Sequence, residues 1–148
     1  MKAHYLGHVV FYVKDLERSL AFYRDLLGFK EVGRVFNGAA AALTSGRTHH
    51  ELLLIQVGDV PPPPPGRRTG LYHIGIKVGD SLDELRAAKR ELDRAGVEIG
   101  GMSDHTVSQS LYLHDPDGNE VEIYVDADES VWKNNPAAVV APIKPLRL

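Results

Sequence analysis

Asp115-Pro116-Asp117-Gly118-Asn119-Glu120-Val121-Glu122-Ile123-Tyr124-Val125 is the stretch that decides the fold. Asp117-Gly118 is a turn pair suited to joining two antiparallel strands. After it the residue types alternate: Val121, Ile123 and Val125 fall on one side of a strand, Glu122 and Tyr124 on the other. The run before the turn, residues 108–114, alternates in the same way. Leu111 and Leu113 point to a core, and Ser110, Tyr112 and His114 point away from it. A carboxylate and a tyrosine therefore share the face opposite the apolar one.

Working outward, the same grammar occurs twice. His73-Ile74-Gly75-Ile76-Lys77-Val78 alternates with Ile74, Ile76 and Val78 opposite His73, Gly75 and Lys77. His8-Val9-Val10-Phe11-Tyr12-Val13 places Val9, Phe11 and Val13 opposite His8, Val10 and Tyr12. Each strand leads into a helix. Asp15 caps the first, whose apolar positions Leu16, Leu20, Tyr23 and Leu27 recur every three or four residues before Gly28. Ser81 and Glu84 form a capping box for the second, with Leu82, Leu85, Ala88 and Leu92 before Gly96. Short extended runs follow each helix, at 29–36, 39–44 and 50–57, then at 97–99, 108–114 and 120–125.

The order is β-α-β-β-β, twice. The fold class expected is α+β, two side-by-side β-α-β-β-β modules forming a curved, cleft-enclosing mixed sheet with helices outside. Module 1 spans about 5–57 and module 2 about 71–126 within a single domain, 1–148, with a tail at 127–148. Between the modules lies a linker, 58–70, holding five consecutive prolines at 61–65. Such a run favours an extended, semi-rigid spacer and cannot belong to an inner strand.

Composition narrows the chemistry. The 148 residues suffice for one domain with a real core, and 43% apolar with 25% charged content is ordinary for a globular chain. A net charge of −3 with no basic run argues against nucleic acid as a partner. No apolar run approaches the ~20 residues of a membrane span, and the start lacks a secretory pattern. A cytoplasmic location is expected. Cysteine is absent and histidine occurs seven times, so a bound metal would sit on nitrogen and oxygen.

His8, His73 and Glu122 are candidate metal ligands, all on the expected cleft face. Two imidazoles and one carboxylate cap one face of an octahedral ion and leave positions open, which suits Fe(II) better than a closed zinc site. A charge on Glu122 between Val121 and Ile123 also needs a partner, because a buried unpaired carboxylate is costly. His105 and Tyr112 are candidate catalytic residues. An imidazole, ordinarily titrating near pH ~6.5, handles protons at neutral pH. A tyrosine hydroxyl can donate to a bound oxyanion.

The sequence His105-x5-Leu111-Tyr112-x2-Asp115-Pro116-x-Gly118-x3-Glu122 resembles the motif of the extradiol ring-cleaving dioxygenases, within the vicinal-oxygen-chelate superfamily that includes glyoxalase I. The resemblance covers roughly residues 5–126, and Ser103 departs from the glycine-like residue the motif prefers. It implies Fe(II), with Mn(II) as a substitute, on His8, His73 and Glu122. It further implies that His105 is the acid/base residue and that Tyr112 hydrogen-bonds the substrate. The implied reaction is cleavage of a catechol-type aromatic diol by O2, and the superfamily often pairs subunits into homo-oligomers along sheet edges. The end of the chain, from Val125 to Leu148, is loosely similar to tails of small catechol 2,3-dioxygenase-like proteins.

Two rivals share the scaffold. A glyoxalase I-type isomerase would need a fourth ligand from residues 50–57, where the slot falls at Leu54 or Gln56; if Glu51 faces inward instead, that reading gains. A metal-free drug-binding, bleomycin-resistance-like protein would not need the triad. Val10, Tyr12 and Leu54 are expected to line the cleft. His4, His49, His50 and His114 are read as surface residues or as supports to the site, His114 having the better claim to support because it shares the face of Tyr112.

Overall fold

The computed structural model describes residues 1–148 apart from Pro63 and Pro65. The expected proline spacer contains both, and to that extent lies outside the described residues. The chain forms two compact units, Met1–Arg67 and Arg68–Leu148.

In the first unit, β1 (Val9–Val13), α1 (Leu16–Leu20), β2 (Lys30–Val35), β3 (Ala40–Thr44) and β4 (Leu52–Gln56) follow one another. The sheet order is β1-β4-β3-β2. β1 runs parallel to β4, and β3 is antiparallel to both β4 and β2. The second unit repeats the plan with β5 (His73–Gly79), α2 (Leu82–Arg94), β6 (Ile99–Asp104), β7 (Ser108–His114) and β8 (Glu120–Asp126). With a further short strand, β9 (Lys144–Pro145), its order is β5-β8-β7-β6-β9, and β5 is parallel to β8. The twofold β-α-β-β-β order and the α+β class hold.

Burial follows the alternation. Leu111, Leu113, Val121, Ile123 and Val125 are sealed with Leu85 and Leu92 of α2. Each such side chain contributes about 1.5–3 kcal/mol by leaving water. In the first unit Phe11, Val13, Leu52 and Leu54 are buried with Leu16, Leu20 and Tyr23, and the Tyr23 ring stacks on Phe11 at 6.0 Å between centroids.

Four local differences from the sequence reading have physical causes. First, Leu54 does not line an open face. It pairs in register with Phe11 and is fully buried, whereas Leu53 and Ile55 pair with the exposed Val10 and Tyr12. Second, α1 widens into a π-type turn over Ala21–Leu26, with Leu27 N donating to Phe22 O at 3.0 Å. The wider turn rotates the apolar stripe, so Phe22 and Tyr23 are buried and Leu27 is only half-buried. Third, the strand expected at 97–99 is β6, which begins only at Ile99 and runs to Asp104; Gly100 and Gly101 hide its alternation. Fourth, the tail adds a 3-10 turn at Glu129–Val131, a short helix α3 (Pro136–Val139) and a strand β9 (Lys144–Pro145) on the edge of β6.

Candidate functional site

The hairpin that starts the second unit's site is fixed by Asp115, which is buried. Its Oδ1 accepts from Asp117 N at 2.9 Å and Asn119 N at 2.8 Å, and its Oδ2 accepts from Asn119 Nδ2 at 2.9 Å. Gly118 takes φ +84°, a conformation other residues resist. This turn sets the register that places Tyr112 directly across from Glu122. The Tyr112 hydroxyl donates to Glu122 Oε1 at 3.1 Å, and His105 Nε2 lies 2.7 Å from the same hydroxyl.

The direction of the bond at Glu122 sets the direction of the bond at His105. An ionised carboxylate can only accept, and a phenol has one proton to give. If Tyr112 gives that proton to Glu122, His105 must present Nε2–H to the phenolic oxygen. Burial, and then the charge and hydrogen bond of Glu122, push the Tyr112 hydroxyl up to about 12, so it stays protonated at neutral pH. His105 sits in the turn between β6 and β7, its own N–H held by Ser108 O at 2.8 Å. Asp104 Oδ1 pins that turn through Thr106 N at 2.7 Å, with Thr106 at φ +72°.

His73 begins β5 beside β8, in register with Glu120, while Gly75 is in register with Glu122. The imidazole is bracketed by two carboxylates: Nε2 lies 3.2 Å from Glu122 Oε2, and Nδ1 lies 3.3 Å from Glu120 Oε1. The second pair is close enough for an ion pair yet is not aligned as a hydrogen bond, and both its atoms are buried without another partner. Tyr72 leans on the His73 ring at 4.7 Å between centroids. Gly75 leaves room, since a Cβ there would stand 3.2 Å from Tyr124 Cε1 and 3.7 Å from Glu122 Oε2. The second unit thus brings His73, His105, Tyr112 and Glu122 together.

His8 belongs to the first unit, where it is exposed just before β1 and its ring lies 4.6 Å from His50. His49 Nδ1 in turn sits 2.6 Å from His50 Nδ1. Burial, then the neighbouring His49 and His8, lower the His50 pKa. Glu51 precedes β4 and falls by alternation on the side of Leu53, Val10 and His8. Its carboxylate is engaged locally by Ser45 N at 2.7 Å, Thr44 Oγ1 at 3.0 Å and Arg47 Nε at 3.3 Å. Gln56 is engaged too, its Oε1 accepting from Leu16 N at 2.9 Å to close the start of α1. His114 ends β7 exposed to solvent.

The donor set of the second unit fits a divalent cation in chemistry: one imidazole nitrogen and one carboxylate oxygen face each other, flanked by a glycine. Among the described residues, no group of three or more histidine, cysteine, aspartate or glutamate side chains is gathered so as to hold an ion. No described helix is long and apolar enough to cross a membrane.

The model of the glyoxalase/bleomycin resistance protein/dioxygenase superfamily matches residues 5–123. The chain belongs to that superfamily. It is 36% identical over 131 residues to a catechol-2,3-dioxygenase of Bacillus subtilis, covering 88% of this chain and 45% of that one. It is 32% identical over 128 residues to a biphenyl-2,3-diol 1,2-dioxygenase of Rhodococcus globerulus, covering 82% and 63%. The superfamily member described here therefore spans about half to two thirds of the length of these relatives. It is also 28% identical to a lactoylglutathione lyase of Neisseria meningitidis, covering 79% and 87%. A glyoxalase/dioxygenase structure from Nostoc punctiforme superposes with a TM-score of 0.72 at 22% identity, over 83% of this chain and 91% of that one, and shows the fold.

Two supporting residues went unread in the sequence. Asp104 shapes the His105 turn, and its only signal was an acidic residue preceding a turn. Glu120 lies two residues from Glu122 and so on the same face, a signal available from alternation alone.

Proposed function

We propose that this chain is a non-haem Fe(II)-dependent extradiol dioxygenase that cleaves a catechol-type aromatic diol with O2. The observation that carries the reading is the meeting of His73, Glu122, Tyr112 and His105 at hydrogen-bonding range on one face of the second sheet. The named activities of the Bacillus and Rhodococcus relatives support the diol class.

His73 Nε2 and Glu122 would hold Fe(II) (Mn(II) as a substitute), with His8 proposed as third ligand. Iron bound there would supply open positions for two substrate oxygens and the redox partner that O2 chemistry requires. The side chains do the rest. Tyr112 keeps its proton at neutral pH and, once a cation engages Glu122, would turn that proton from Glu122 to a substrate oxyanion, the stabilisation that develops with charge. His105, one hydrogen bond further out and about a quarter exposed, holds or passes a proton at Nε2. Its reach to solvent lets that proton be replaced between turnovers. The rings of Tyr72 and Tyr124 lie beside His73 and Gly75 and give a planar substrate apolar surface.

The test is anaerobic loading with Fe(II) followed by a panel of catechols, watching oxygen uptake and the yellow ring-opened product. Product formation that requires iron supports the reading. A second reading, a metal-dependent isomerase of the glyoxalase kind, is favoured by one observation: Glu51 falls on the face of His8. That reading predicts turnover without oxygen uptake, abolished in Glu51→Ala. Unchanged ligand binding after exhaustive chelation would instead support a metal-free binding protein.

A further inference from the structure

We propose that Glu120 is a positioning residue that sets the tautomer of His73. Its carboxylate accepts the proton on Nδ1 and thereby keeps the lone pair on Nε2, the nitrogen that faces Glu122. The inference rests in part on the metal reading above, since a ligating imidazole must be neutral with its proton on the far nitrogen.

Three observations converge. Glu120 and His73 are register partners across the parallel β5–β8 pair, so neither can drift along the sheet without breaking strand pairing. Glu120 Oε1 and His73 Nδ1 are both buried, both lack a hydrogen-bond partner, and stand 3.3 Å apart. A buried acceptor and a buried donor that are each unsatisfied cost free energy separately, and a small ring rotation satisfies both at once. Finally, the opposite ring nitrogen already faces Glu122 at 3.2 Å, so the two ends of the imidazole are assigned to different carboxylates.

The sequence of events at the ring is then constrained. With Glu122 engaged by a cation, the Nε2 proton has no acceptor, and the tautomer carrying Nδ1–H is the one Glu120 stabilises. A carboxylate behind a ligating histidine also makes the imidazole a stronger donor, and losing such a partner typically costs about 10–100-fold in metal affinity. Glu120 touches neither Tyr112 nor His105 in the hydrogen-bond network, so its contribution passes through His73 alone.

The test uses 15N-histidine-labelled full-length protein, metal-free and loaded with Zn(II), in wild type, Glu120→Leu and Glu120→Gln. The expected result is a His73 Nδ1–H proton protected from exchange in the wild type. In Glu120→Leu that protection is lost and Zn(II) binds about 10–100-fold more weakly. Glu120→Gln, which keeps an acceptor oxygen without the charge, should retain the protected proton with a smaller loss of affinity. Should Glu120→Leu fail to fold, the glutamine variant decides: affinity equal to wild type overturns the proposal. A Nδ1–H as well protected in Glu120→Leu as in wild type, or Zn(II) affinity within about twofold, also overturns it. If the wild type binds no Zn(II) while the metal-free Nδ1–H signal still depends on Glu120, the metal reading fails and the positioning role stands.

Discussion

The two units carry the same strand order with opposite investments in polarity. His8 and His73 each open a module, and each first strand runs parallel to the fourth strand of its own β-α-β-β-β module. Past that point they diverge. His73 has Glu120 beside it and Glu122 on its other nitrogen, whereas the equivalent stretch of β4 is Leu52-Leu53-Leu54-Ile55. Even the shared acid behaves differently. Glu51 precedes β4 as Glu120 begins β8, yet Glu51 is occupied by Thr44, Ser45 and Arg47, and its carboxylate braces a turn. At matched positions one module carries paired polar groups and the other aliphatic side chains. The scaffold alone decides neither.

The largest expected effect breaks the second unit's side of that comparison. Glu122→Leu, which gives β8 the character of β4, should lose Fe(II) binding and all ring cleavage while keeping its circular dichroism; retained iron would mean that the carboxylate is not a ligand. Next, His105→Ala should keep its iron but turn over about 10²–10⁴ times more slowly, and metal loss in that variant would reassign the residue. Smaller again is Glu51→Ala. Removing its bonds to the turn should lower stability by about 1–3 kcal/mol, read by urea unfolding, with iron content unchanged. Loss of metal there would bring the first unit's acid into the site and favour the isomerase.

The smallest effect concerns the helix starts. In α1 the Asp15 carboxylate caps alone, accepting from Arg18 N at 2.8 Å. In α2, Ser81 and Glu84 cap each other, Ser81 Oγ donating to Glu84 Oε2 at 2.7 Å. That hydroxyl, then the Asp80 N–H, hold the Glu84 carboxyl below its ordinary range. Its contribution is present above the unfolded value, about 4.3, and is lost as pH falls through the lower folded value. Ser81→Ala should cost about 1 kcal/mol at neutral pH and less in acid, a difference that thermal melts at two pH values would show.

Much of the second unit was legible because its strands alternate cleanly. Val121, Ile123 and Val125 against Glu122 and Tyr124 mark the core face, and those three apolar side chains are the buried ones. The first unit was harder. Four consecutive apolar residues in β4 carry no polar contrast between the faces, so alternation does not tell which face turns to the core, and Leu54 lies there and not on the cleft face expected of it. The π-type turn after α1 leaves no compositional mark, and Leu27 fitted the ordinary helical period as well as Phe22 did not. The tail strand Lys144–Pro145 is too short to show alternation and pairs only at an edge. At the site, residue types point to His73, Glu122, Tyr112 and His105, while Glu120 shares the face of Glu122 without a motif to single it out. Its partial burial comes from His73 and the neighbouring strand β5, which a single segment does not reveal.

The central proposal is that His8, His73 and Glu122 hold one ion. It is tested most directly by the iron content of anaerobically loaded protein in wild type, His8→Ala and His73→Ala, each checked for folding. The account predicts one Fe(II) per wild-type chain and loss of tight binding in both variants alike. Iron retained at full stoichiometry in His8→Ala would contradict it and remove His8 from the ligand set.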